Sequence, residues 1–149
     1  VDTTANRLNV ALLSPEKKVD DLQDSANIAH VLIPGTNGYF VASPKHTDLI
    51  AQIGTGVLTL LGEGNEQLQQ YFVSGGFVEM ADGKNLKVLA DVIETPTEVQ
   101  VERAQGAQKR ALERLTGKAQ NTDVDVLDFD RANEALARSR YRLDISGKN

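Results

Sequence analysis

The chain has 149 residues, 40% of them hydrophobic and 25% charged, which suits one domain or a small domain with an appendage. Its net charge of −5 argues against a surface that wraps nucleic acid, and the lack of cysteine excludes disulfides and thiolate metal sites. No apolar run approaches the ~20 residues a spanning helix needs, and Val1–Asn6 lacks the basic and apolar stretches of a secretory signal, so a soluble chain is expected.

Short apolar runs recur about every ten residues in the first two thirds of the chain. They are Leu8–Leu13, Lys17–Val19, Ile28–Ile33, Tyr39–Val41, Leu49–Ile53 and Val57–Leu61. Turn residues separate them: Ser14-Pro15, Pro34-Gly35, Asn37-Gly38, Ser43-Pro44 and Gly62-Glu63-Gly64-Asn65. The stretch Gln70–Val92 reads as three further strands. A turn at Ser74-Gly75-Gly76 is expected between the first two, and a type I′ turn at Asp82-Gly83 between the last two. Leu86, Val88 and Ala90 then alternate with Lys87, Leu89 and Asp91, the period of a half-buried strand. The pattern predicts an antiparallel sandwich or barrel and no parallel βαβ sheet.

Composition changes near Pro96. All four prolines and nine of the 12 glycines lie in residues 1–96, and seven of the eight arginines in 97–149. Residues 1–96 carry 6 basic and 12 acidic groups, and 97–149 carry 10 and 9. Two units follow: a β unit over 1–96 and a helical unit over 97–149. Thr97-Glu98-Val99-Gln100 has the form of a capping box. Val101, Ala104, Gln108, Ala111 and Leu115 then follow at helical spacing, with Gly117 as a stop and Lys118 at the negative helix end. After the polar stretch Ala119–Asp125, with Asp125 or Asp128 as cap, Phe129, Ala132, Leu136, Ser139 and Leu143 repeat that spacing. The fold class is therefore α+β, an N-terminal antiparallel β-sandwich followed by a C-terminal antiparallel two-helix hairpin. The alanine-rich seam buries little, so the hairpin should depend on packing against the β unit or a partner.

Catalytic signals are missing. Gly35-Thr36-Asn37-Gly38 and Gly54-Thr55-Gly56 lack the spacing of nucleotide loops and read as turns. Asp123, Asp125, Asp128 and Asp130 lack the glycine and glutamate of a calcium loop. His30 and His46 have no acidic partner at ligand spacing, so no metal pair is expected. The arginines stand out. Arg138 and Arg142 are four residues apart, with Arg131 seven before, and Arg103 and Arg110 share a face beside Arg114. Two readings stay open: a solvated face with a local Glu134–Arg138 pair, or a site for a phosphate ligand or an acidic protein surface.

The order of these features resembles the epsilon subunit of bacterial F-type ATP synthases, called delta in mitochondria. LNVALLSPEKKV (Leu8–Val19) is similar to the family's opening hairpin. PGTNGYFVASPKHTDLI (Pro34–Ile50) is similar to its glycine-rich segment, with Lys45 for the glycine and Asp48 for the second proline of its P-G-H-A-P-L ending. FVSGGFVE (Phe72–Glu79) and KVLAD (Lys87–Asp91) match most closely. ERAQGAQKRALERL (Glu102–Leu115) and DFDRANEALARSRYRL (Asp128–Leu143) resemble the two-helix tail.

The resemblance implies a sandwich of about ten strands and a non-catalytic rotor subunit with no required cofactor. Its implied partners are the gamma subunit, the c-subunit ring and the catalytic alpha and beta subunits, with no nucleic acid. The implied location is peripheral, on the cytoplasmic face of the bacterial plasma membrane, through the complex alone. It implies that Asn37, Gly38 and Tyr39 meet the c ring, Tyr39 standing where the family has an acidic residue, and that His46 lies near gamma. The hairpin, folded or extended along gamma, would inhibit ATP hydrolysis. Glu94, Arg103, Arg110, Arg138 and Arg142 match positions that bind regulatory ATP in some members, with Gln100 in place of the motif's aspartate. An alternative reading of the same arginines is an ATP-sensing sandwich with a helical lid.

Overall fold

The computed structural model describes residues 7–19, 27–116 and 126–147. The chain divides into two compact units, Val1–Thr95 and Pro96–Asn149. The first holds eight strands among the described residues: β1 (Asn9–Ser14), β2 (Lys17–Val19), β3 (His30–Gly35), β4 (Gly38–Ala42), β5 (Leu49–Gln52), β6 (Thr55–Leu61), β7 (Gln67–Ala81) and β8 (Asn85–Glu94). Hydrogen bonding joins them in the order β2-β1-β8-β7-β6-β3-β4, with β5 on β7. The strands fold about one apolar core, which includes Leu12, Val31, Ile33, Leu58, Tyr71, Val73, Val78, Met80, Leu86 and Val88.

Sequence pattern explains most of these strands. β8 buries Leu86, Val88 and Ala90 and exposes Lys87, Leu89 and Asp91, as period two requires. The Asp82-Gly83 turn forms with positive φ at both residues, 56° and 65°. Pro15-Glu16 closes the β1–β2 hairpin, since Ser14 faces Lys17.

One expectation fails here, for a physical reason. Ser74-Gly75-Gly76 is no reversal: β7 runs 15 residues straight through it. Both flanks pair with the same neighbour β8 in one constant register, from Phe72↔Glu94 to Ala81↔Asn85 with Gly75 passed over, so they form one continuous strand. Gly75 and Gly76 do take positive φ, 66° and 121°, but they bend the strand. On the other edge β6 pairs before the glycines and β5 after them. The described strands otherwise pair antiparallel, as expected, and the one exception is β1, which lies parallel to β8. The two strands are distant in sequence, so no crossover helix is needed between them.

The second unit is a pair of helices, α1 (Val101–Leu115) and α2 (Val126–Ser146), packed on each other. Thr97 is not the N-cap of α1. Residues 96–98 make a turn, and α1 starts later, with Gln100 as N-cap and no side-chain cap bond. The first helical bond runs from the Ala104 N–H to the Gln100 carbonyl, 2.9 Å. Thr116 ends α1: its hydroxyl donates to the Leu112 carbonyl at 2.9 Å. Gly117, Lys118 and the Ala119–Asp125 loop lie outside the described residues, while Asp128 falls inside α2 rather than at its cap.

The seam is the one the spacing predicts, apart from Phe129, which is 48% exposed. Ala104 and Ala111 are buried on α1, and Ala132, Leu136, Ser139 and Leu143 on α2. Buried Ser139 satisfies itself by donating to the Leu136 carbonyl, 2.8 Å away.

Two substitutions test this account of the first unit. A Cβ at Gly76 would run into the Leu89 carbonyl and the Ala90 Cα, at a φ that L residues avoid. Gly76→Ala should lower stability by roughly 3 kcal/mol in urea denaturation followed by circular dichroism. Lys45 stands at φ 65°, where its N–H donates to the Gly83 carbonyl at 2.6 Å. Lys45→Gly removes that strain and should raise stability by about 1 kcal/mol, read as a higher melting temperature.

Candidate functional site

The surface residues singled out in the first unit gather along β5. At its start, the 43–48 loop is tied down by the Lys45–Gly83 bond and by the His46 N–H, which donates to the Ser43 carbonyl at 3.1 Å. His46 Nδ1 donates to the Thr47 carbonyl at 2.7 Å. At the far end of β5, the Gln52 carbonyl accepts from the Thr36 N–H at 3.3 Å. That bond fastens the β3–β4 tip, Thr36-Asn37, between Gly35 and Gly38. Asn37, Gly38 and Tyr39 are exposed. One four-residue strand, about 10 Å long, thus separates the tip from the loop that bears His46.

Between them lies a row that sequence reasoning missed. Ile50 is 76% exposed, Phe77 54% and Leu89 44%. Phe77 faces Leu89 across the β7–β8 ladder, and Ile50 neighbours it on β5, opposite Glu79. Leu13, half-buried, faces Leu89 from β1. All four point away from the core. The signal available in sequence was Leu89 itself, an apolar residue on the polar side of the Lys87–Asp91 alternation. Phe77 gave no such signal. Tyr71 and Val73 face inward, so alternation carried forward would place residue 77 inward as well. The glycine bend slips the phase by one residue: Val78 and Met80 turn inward and Phe77 turns out.

The five residues nominated for ATP fall in both units. Glu94 closes β8, opposite Phe72. Arg103 and Arg110 lie on the exposed face of α1, and a Cβ at Gly106 would meet Arg110 Nη1 at 3.3 Å, so the guanidinium folds back along its own helix. Arg138 and Arg142 stand one turn apart on α2 and are half-buried. Arg138 Nη1 is 3.7 Å from Glu134 Oε2, the local pair expected from spacing, worth only a few tenths of a kcal/mol at this exposure. An open groove along α1 is lined by Gln105, Gln108, Lys109, Leu112, Glu113 and Thr116, and none of the five lines it. Among the described residues no helix is long and apolar enough to cross a membrane.

Comparison with known proteins agrees with this architecture. Residues 7–96 match the beta-sandwich domain of the ATP synthase delta/epsilon chain, and residues 98–147 match its long alpha-helix domain. The ATP synthase epsilon chain of Moorella thermoacetica is 36% identical over 140 residues, 94% of this chain and 96% of that protein. Two solved assemblies share the fold. One is a chain of the Euglena gracilis mitochondrial ATP synthase OSCP/F1/c-ring, at TM-score 0.63 and 17% identity, covering 96% of this chain and 79% of that one. The other is a chain of the Tetrahymena thermophila mitochondrial ATP synthase central stalk/c-ring, at TM-score 0.57 and 11% identity, covering 97% and 99%. With both domains matched in order along nearly its whole length, the chain belongs to the delta/epsilon family of ATP synthase subunits.

Proposed function

We propose that this chain is a rotor subunit of the central stalk of a bacterial F-type ATP synthase, held through its sandwich to the gamma subunit and the c ring. The family is a structural subunit of the synthase and not its catalytic one. The two solved assemblies with this fold are named for a c ring and, in one case, for the central stalk, which supports the partners. The location that follows is the cytoplasmic face of the plasma membrane, reached through the complex.

One observation carries the assignment to the sandwich. Ile50, Phe77 and Leu89, on three adjacent strands, form an exposed apolar row on one face of the sandwich. Such a row is stable in water chiefly when something covers it, and aromatic residues dominate such contacts. The row is the gamma contact, flanked by the tip at Asn37–Tyr39 and the loop at His46.

The test is binding of purified chain to gamma. Phe77→Asp combined with Ile50→Asp should weaken binding by about 100-fold. Both side chains lie outside the core, so the melting temperature should hold. Failure of the unmodified chain to bind gamma would overturn the assignment.

The helical unit restrains ATP hydrolysis in this reading. Its small-residue seam holds α1 and α2 together weakly, and Arg103, Arg110 and Arg114 stay exposed for an acidic surface on the catalytic subunits. Deleting residues 97–149 should raise ATPase turnover of the reassembled complex, measured at saturating ATP. An unchanged rate would remove the inhibitory role and leave the sandwich assignment standing.

A further inference from the structure

We infer that Tyr39 is a positioning residue: its hydroxyl latches the β3–β4 tip onto β6 and so sets where Asn37 and Gly38 stand for a partner. The latch is a property of the chain alone. Its consequence for binding rests on the rotor reading given above.

The latch exists because a proline leaves a gap in the ladder. β3 pairs with β6 from His30↔Leu61 to Leu32↔Thr59, and there the ladder ends. The same register carried on would set Pro34 opposite Val57. Proline has no N–H to donate, and the Pro34 carbonyl already accepts from the Gly54 N–H at 2.9 Å. The Val57 N–H therefore needs another acceptor. Tyr39 supplies it: the Val57 N–H donates to Tyr39 Oη at 3.0 Å.

The route is as specific as the bond. Tyr39 faces Pro34 across the β3–β4 ladder, so its ring must pass over the proline to reach β6. It can do so because residue 56 is glycine. A Cβ there would lie 2.5 Å from the Tyr39 hydroxyl and 2.6 Å from Pro34 Cβ. Pro34 and Gly56 are buried while Tyr39 is half exposed, as expected of a ring laid across them. The phenol thus joins β4 to β6 across the intervening strand.

The tip's other ties to the β5–β6 corner are main-chain bonds, Gly54 to Pro34 and the long Thr36 to Gln52 bond. Held at a third point, the tip has less conformational freedom to lose when it docks. Tyr39 then acts through Asn37 and Gly38 rather than by its own polar contact.

The experiment uses the full chain with two variants that attack the latch from opposite strands. Tyr39→Phe keeps the ring and removes the acceptor, and Gly56→Ala displaces the phenol. Amide exchange at Val57 should accelerate by roughly five- to tenfold in both. The affinity for purified c ring should fall about fivefold in both, with unchanged far-ultraviolet dichroism. Unaltered Val57 exchange in Tyr39→Phe overturns the latch. Faster exchange with unaltered ring affinity overturns the positioning role and leaves the rotor reading intact. If the unmodified chain fails to bind the ring, the rotor reading falls and the positioning role with it, while the exchange data still decide the latch.

Discussion

Strand β7 serves two sets of neighbours because its backbone changes course at Gly75 and Gly76. Before that point its free edge belongs to β6, and after it to β5, while β8 follows along the other edge throughout. The approach at the bend leaves no room for side chains. The Leu89 carbonyl lies over Gly76, and the Asp91 carboxylate would come within 2.6 Å of a Cβ at Gly75. The bend also resets the pleat. Tyr71 and Val73 face the core on one side of it, Val78 and Met80 on the other. A single core can therefore be lined by both halves of one long strand, and the outward row of Phe77 and Leu89 is a direct result.

Much of this was legible in sequence, wherever a local rule acts alone. The Asp82-Gly83 turn needs two positive φ values, and those residue types supply them. The alternation of β8 and the small-residue seam of the helices follow from periodicity. What stayed hidden depended on residues far apart in the chain. A Gly-Gly pair reads the same whether the strand reverses or bends, and the β8 register decides between them. Thr97 and Gln100 have the chemistry of a capping box, but a turn at residues 96–98 takes up the segment. Phe129 fits the seam by spacing and yet is exposed. Tyr39 could be compared with a family pattern, but its reach to Val57 across Pro34 required three strands in register.

The candidate site was legible in the same uneven way. The turn-rich segment Pro34–Ile50 could be flagged as a surface feature, because glycine and proline mark exposed loops. That its two ends flank one short strand, with an exposed isoleucine between, came from pairing. The arginines could be assigned to two helix faces, but spacing along a helix says nothing of what lies opposite. Glu94 and the four arginines belong to different compact units.

The parallel pairing of β1 with β8 bears on how the protein is made. Asn9 and Asn85, whose side chains share a hydrogen bond of 3.1 Å, are 76 positions apart in the chain. At ribosomal rates of about 5–20 residues per second, the first strand waits on the order of 4–15 s for its neighbour to be synthesised. Such high contact order slows folding, because long loops must close before the contacts that reward them form. Through that interval Leu8, Val10 and Leu12 have no β8 to cover them. The sandwich is thus a late-closing structure on the nascent chain, and a holding chaperone would find its first apolar segment exposed.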